Sequence, residues 1–384
     1  MTASLGKPQP PARPPARPRS SKLAGQENLS ALIFLAPFLI ALIVFFVYAF
    51  GRTVYFSFTD YNLFKITRFT GLDNYADLFR DPLFFTALTN TFMFAIIVTV
   101  VQTVGALLLA VVLNQKLRGQ TFFRTAYYMP SIASSAVITL IFIWLFRPTG
   151  IIAYLTSQLV NYGPILLSFI ALLVVIQAIQ VAWERSRGLP AGAFDPALFI
   201  VSLLVAAVVT WLLTQFSVLS VGNSPQIQLN WLSTRDKFLG FMPYPLLVII
   251  VMNTFTTIPT LMLFFLAGLQ NVSNSLYEAS GIDGATPWEQ MLYITVPMLR
   301  PVTFYAITTG LIGTLQMFDQ VALFDGTAPQ ESIITLAYYV YNRVLGTGQS
   351  MVGLASAAAL VLALLTIIVV QIQRRFFVSD EGVK

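Results

Sequence analysis

The chemistry open to this chain is narrowed first by what it lacks. It has no Cys and no His, which excludes disulfides, thiol nucleophiles, histidine bases and the usual zinc sites. It has no GxxxxGK[ST] loop, so it does not bind ATP by that route. What remains are neutral polar side chains set in or beside long apolar runs: Asn253, Thr254 and Thr257 in one run, and Gln316, Phe318 and Asp319 at the end of the next. Polar groups inside membrane spans are expensive and mark a functional path by default. Amides and hydroxyls hydrogen-bond the hydroxyl groups of a sugar, and aromatic faces such as that of Phe318 cover its C–H surface. Each Thr equally fits a hydroxyl bonded back to its own helix, and Asp319 fits a wetted end residue.

The elements that must position these side chains are membrane spans. Of the 384 residues, 57% are hydrophobic and only 10% charged, with a mean hydropathy of +0.76. A soluble domain carries about 25% charged residues. The expected fold is therefore an all-α polytopic membrane protein. The net charge of +6 reads as a topological signal and not as a nucleic-acid footprint. Residues 1–28 are rich in Pro and Arg and form an expected disordered cytoplasmic tail. Residues 29–384 form the transmembrane domain.

The spans follow in order: Leu32 to Phe50, Phe84 to Leu113, Tyr127 to Phe146, Ile165 to Trp183, Leu198 to Leu219, Tyr244 to Leu266, Val302 to Met317, and Val352 to Ile372. The fourth and fifth form an inserted helical hairpin within residues 162–222. It turns at Glu184-Arg185-Ser186-Arg187 and the breakers Gly188, Pro190 and Pro196. The alternative is a pair of helices packed on the outer face without crossing. Eight spans place more Lys and Arg on the cytoplasmic side than six do. Both termini are then cytoplasmic. The last span carries a small-residue face from Gly353 to Ala359, suited to close packing.

Between the sixth and seventh spans lies the most finely punctuated stretch, Ser275 to Pro301. Ser275 with Glu278 is a capping-box pattern and predicts a helix start. Gly284 predicts a left-handed helix end. Thr286, Pro287 and Glu289 predict a second start, and Pro297 and Pro301 a stop or kink. Ala279, Ser280, Gly281 and Ala285 are small, so another protein's surface can approach the backbone closely. A plain amphipathic connector, with Glu278 only capping its helix, is the alternative.

Glu278-Ala279-Ser280, Asp283-Gly284-Ala285, Ile294, Pro297 and Pro301 resemble the EAA loop of bacterial ABC importer permeases. With Trp288 and Ile294-Thr295-Val296-Pro297 the pattern is similar to the sugar-type, MalF-like branch. A second match, Phe69-Thr70-Gly71-Leu72-Asp73-Asn74-Tyr75, Asp81-Pro82 and Asn90-Thr91, lies far upstream. Phe122-Phe123-Arg124-Thr125 and Met129-Pro130 give a third. Ser280 departs from the usual second Ala and Met291 from a common Phe. Asp325-Gly326-Thr327-Ala328-Pro329 stands where many relatives have Gly-Gly-Pro. The hairpin stands where the family has only a short extracytoplasmic loop.

The resemblance implies a six-span permease core in the bacterial cytoplasmic membrane. It implies import of a sugar (oligosaccharide, disaccharide or related polyol or sugar phosphate). It also implies a second, MalG-like permease, two MalK-like ATPases that carry ATP and Mg, and an extracytoplasmic solute-binding protein, with no cofactor in this chain. Glu278, Ala279, Ser280, Gly281, Asp283, Gly284, Ala285, Trp288 and Pro297 would form the ATPase-coupling loop. A secondary transporter driven by an ion gradient is the competing class. It would want buried carboxylates in mid-span, and these runs carry none. A membrane-embedded enzyme would want His, Cys or paired intramembrane carboxylates.

Overall fold

The computed structural model describes residues 21–64, 67–115, 119–188, 192, 195–222, 230–346 and 350–378. The first twenty residues of the tail, Lys116, Arg118, Pro190 and residues 379–384 lie outside them. Nearly all of the described chain is helical. A first rod is built from α1 (Ser21–Leu42), a π-helical turn (Ile43–Val47) and α2 (Tyr48–Ser57). A short α3 (Asp73–Leu78) precedes the long α4 (Pro82–Asn114). Then come α5 (Gln120–Ile132), α6 (Ser135–Leu145), α7 (Ile151–Asn161), α8 (Gly163–Ser186) and α9 (Pro196–Gln215). A two-stranded antiparallel ribbon, β1 (Lys237–Phe238) and β2 (Met242–Pro243), leads into α10 (Tyr244–Leu269). The rest is α11 (Asn274–Ile282), α12 (Pro287–Gln290), α13 (Val296–Met298), α14 (Arg300–Leu315), α15 (Asp319–Phe324), α16 (Gln330–Ile333), α17 (Leu336–Leu345) and α18 (Val352–Val378).

Among the described residues, six helices are long and apolar enough to cross a bilayer: Ala31–Ser57, α4, α8, α9, α10 and the Val352–Phe377 part of α18. The expected third span is instead a pair, α5 and α6, bent by 94° at a short break. The break falls at Ala133 and Ser134, three residues after Pro130 in the last turn of α5. The expected seventh span is α14, of 16 residues. At 1.5 Å per residue it is about 24 Å long, short of a hydrocarbon core about 30 Å thick. By length and composition the described helices give six spans, or seven with the bent pair counted as one; the expected eight is reached only if the shorter α14 also crosses.

The body is organised around α4. Its 33 residues start on Pro82, with the Asp81 carboxylate accepting the Leu83 N–H as N-cap at 2.9 Å. One buried cluster joins Phe84, Phe94 and Val98 of α4 to Leu246, Ile249 and Met252 of α10 and to Phe324, Tyr338 and Tyr339. A second joins Ala106, Ala110 and Leu113 to Met262, Phe265 and Leu269 of α10 and to Leu299 and Ala306. Early residues meet early ones and late meet late, so α4 and α10 run parallel. Lipid is as apolar as these side chains, so close packing must hold the helices together. The alanines supply that closeness.

The upstream motif that resembles the permease family is structural. Asn74 Nδ2 donates to the Ser57 and Thr59 carbonyls at 2.9 and 2.8 Å, and the Tyr75 hydroxyl donates to Ser57 Oγ at 2.9 Å. Gly353, at the start of α18, presses on the same place. Its N–H donates to the Tyr61 carbonyl, and a Cβ there would lie 2.0 Å from the Thr59 oxygen. Ala355, Ala357 and Ala358 behind it are buried, as a packing face requires.

Candidate functional site

Two places gather the polar residues singled out in the sequence. The first is the loop after α10. The α11 helix is capped by Ser273, whose Oγ accepts the Ser275 N–H at 3.3 Å. The expected Ser275–Glu278 capping box is therefore corrected: the run Ser273-Asn274-Ser275 offers several capping side chains, and the helix starts two residues earlier. Gly284 ends it at φ +83°, with the Ala285 N–H donating to the Ser280 carbonyl at 2.9 Å. No atom crowds a Cβ at Gly284, so the backbone angle is what demands glycine. The second helix starts in a full capping box. Thr286 Oγ1 accepts the Glu289 N–H, and Glu289 Oε2 accepts the Thr286 N–H at 2.7 Å. The Thr286 backbone N–H, then its hydroxyl, hold the Glu289 carboxyl below the usual carboxylate range.

The two helices are cross-braced. Gln290 Nε2 donates to Ser280 Oγ at 3.0 Å and to the Tyr277 carbonyl at 3.3 Å. Tyr277 and Thr295 share a hydrogen bond of 2.9 Å. Ser280, where the family usually has Ala, is thus the anchor of the brace. The outward face of this rigid corner is apolar: Ile282, Trp288 and Tyr293 are 87%, 62% and 78% exposed. Glu278, Ala279, Gly281 and Asp283 are exposed beside them, Ala285 is half-buried, and Pro297 is exposed within α13.

The second place is a cavity of about 280 Å³ between α4, α10 and α14. Gln102, Asn253, Thr257, Thr260, Thr309 and Thr314 line it, with Gly310 and Gly313 as bare backbone. Of the expected path residues, Asn253 and Thr257 face this cavity. Asn253 Nδ2 donates to Gln320 Oε1 at 3.1 Å, while its Oδ1 is buried without a partner. Thr257 bonds back to the Asn253 carbonyl at 2.8 Å. Thr254 is buried, does not line the cavity, and its hydroxyl has no partner. Gln316 is exposed. Phe318 packs on Tyr341 and Tyr338, with ring centroids 4.8 and 6.3 Å apart. Asp319 accepts the Ser135 hydroxyl at the start of α6, beside the break in the bent pair. Sequence reasoning missed Gln102, Thr260, Thr309 and Thr314. They lie on three helices far apart in the chain, and only helix packing turns them toward one another.

No protein-family model matches the chain. Single proteins do, over most of its length. The lactose transport permease LacF of Rhizobium radiobacter is 28% identical over 326 residues, 84% of this chain and 85% of that one. The arabinooligosaccharide transport permease AraP of Bacillus subtilis is 27% identical over 373 residues, 95% and 96%. The sn-glycerol-3-phosphate transport permease UgpA of Escherichia coli is 26% identical over 354 residues, 90% and 93%. The chain is a homologue of sugar-type ABC importer permeases. Its fold agrees: a solved chain of a bacterial ABC transporter that imports the acidic polysaccharide alginate superposes with a TM-score of 0.63 at 16% identity, covering 95% of this chain and all of that one.

The end of the permease opposite the α11–α12 corner is closed by a charged lock. Asp81 Oδ2 accepts from the Tyr339 hydroxyl at 2.7 Å and from Arg343 Nη2. The Arg343 guanidinium also lies 4.9 Å over the Tyr339 ring. Burial raises the Asp81 pKa, but the Tyr339, Leu83 and Arg343 donors outweigh it and leave the carboxyl below its ordinary value. Burial, then the hydrogen bond to Asp81, pushes Tyr339 up. The hairpin α8–α9 stands at the side. Its ends meet where the Gly222 N–H donates to the Asn161 carbonyl at 2.8 Å. Its seam is polar: the Ser202 hydroxyl donates to Gln177 Oε1 at 2.6 Å and approaches Gln180 Oε1 at 3.2 Å.

Proposed function

We propose that this chain is the membrane subunit through which a separate ATPase drives import of a sugar or related solute. The observation that carries the reading is the braced, apolar-faced corner of α11 and α12. A soluble protein hides Ile282, Trp288 and Tyr293; a docking surface presents them. Glu278, Ala279, Ser280, Gly281, Asp283, Gly284, Ala285, Trp288 and Pro297 form or border it. ATP and Mg sit on two MalK-like partner chains, and a MalG-like permease completes the path. ATPase closure pushes the corner as one lever, because Gln290 ties both helices together. The α10 and α14 helices that flank the corner also flank the polar cavity, so the push reaches the residues that would contact solute. This is a differential contact between two states and not a chemical step.

The corner and both termini face the cytosol in this reading, and α8–α9 crosses the membrane twice as a pair. Solute reaches the opposite face on an extracytoplasmic binding protein. The relatives' named solutes are lactose, arabino-oligosaccharides and sn-glycerol 3-phosphate, which bounds the class here to sugars and small polyol derivatives. The test is affinity capture of the tagged full-length chain from native membranes. An ATPase, a second permease and a solute-binding chain are expected in the eluate. A chain that carries solute with no ATPase attached overturns the proposal.

A further inference from the structure

The cavity between α4, α10 and α14 also says which solutes suit this chain; the argument rests on the permease reading above. Every side chain that lines it is uncharged. Gln102 is the innermost, only 2% exposed. Its amide end lies over Gly310, where a Cβ would come within 2.3 Å of Gln102 Nε2 and push the amide aside. Thr309 bonds back to its own helix at 2.8 Å, which leaves its hydroxyl oxygen facing the cavity chiefly as an acceptor; Thr314 also bonds back, at 2.7 Å, and shares its oxygen with Thr99 Oγ1 at 3.4 Å. The Asn253 Oδ1 is a further buried acceptor with no donor. A solute that brings O–H donors satisfies such a wall. A phosphate or carboxylate brings only more acceptors, and its charge has no counter-ion among the lining groups at a depth where an unpaired ion is severely penalised.

We propose that Gln102, seated on the bare backbone of Gly310, is a specificity-determining residue and selects an uncharged saccharide. The chain then groups with its lactose and arabino-oligosaccharide relatives and not with the glycerol-phosphate or alginate ones.

The test uses cells with and without the intact chain, in medium holding lactose, maltotriose, arabinotriose, sn-glycerol 3-phosphate and an alginate trisaccharide together. Depletion of each solute is followed. Only uncharged solutes should depend on the chain. Chain-dependent uptake of either acidic solute overturns the inference while leaving the permease reading intact. If no solute depends on the chain, the permease reading itself fails. In the second arm Gln102→Leu should raise the KM for the transported solute at least tenfold, with ATPase co-purification unchanged, and Gln102→Asn should recover part of the loss. An unchanged KM in Gln102→Leu removes Gln102 from the role.

Discussion

The body around α4 and the hairpin α8–α9 are made of the same apolar residue types but are held by different means. Half of the apolar window of α10 is buried, against 6% in α8 and 17% in α9. The body coheres through interlocked small residues and through a backbone contact that tolerates no added atom, at Gly353. Among the described residues, the hairpin joins a polar clasp, Ser202 with Gln177 and Gln180, to a few buried side chains such as Val181 and Ala206 and a backbone tie at its base. The difference teaches which part carries the function. A moving transporter needs helices that push one another, and the body links α4, α10 and α14 in that way. The hairpin enters and leaves at one point, so it adds to the molecule without interrupting the lever.

The sharpest way to break this comparison is Gly353→Ala. Its Cβ would meet the Thr59 carbonyl, which is backbone and cannot swing aside. The expected loss is about 3 kcal/mol, the upper end for overpacking, read as lowered melting temperature and poor accumulation. Gly163→Ala, with nothing within 4 Å, should leave both unchanged.

Next comes Asp81→Asn. It removes the charge that Tyr339 and Arg343 address, and should cost about 2 kcal/mol in thermal unfolding. The pH dependence has a definite sign. The folded pKa lies below the unfolded one, so the carboxylate's contribution is fully present above the ordinary carboxyl value of 3.8. It is lost as pH falls through the depressed folded value. The wild-type protein should therefore lose stability below about pH 4 more steeply than Asp81→Asn does.

The smallest effect is expected in the hairpin. Ser202→Ala should cost about 0.5–1.5 kcal/mol. Hydrogen exchange should speed up in α8 and α9 while α4 and α10 stay protected. Equal loosening of α4 would show that the hairpin is part of the body after all.

Much of this architecture was legible in the residues. The runs that became α4, α10 and α18 are apolar and long enough to be recognised by length alone. Gly284 and the Thr286–Glu289 box announced their backbone geometry, because only glycine reaches a left-handed angle cheaply and the Thr-x-x-Glu spacing satisfies its own helix start. The bend between α5 and α6 was only half legible: Pro130 stands just before it, but the Ser135–Asp319 bond that accompanies the bend joins residues far apart in sequence. The same distance hid the lock at Asp81, whose partners follow some 260 residues later. Gln102 was hidden differently, as a single amide in an apolar stretch whose meaning depends on Gly310 of α14, much later in the chain.

The central claim is that the α11–α12 corner transmits ATPase motion into the body, and one substitution addresses it. Gly284→Val places a β-branched residue at a left-handed angle without crowding any neighbour. The account predicts normal insertion, normal body stability and at least a tenfold loss of ATP-driven uptake in the reconstituted importer. Uptake at the wild-type rate would contradict it.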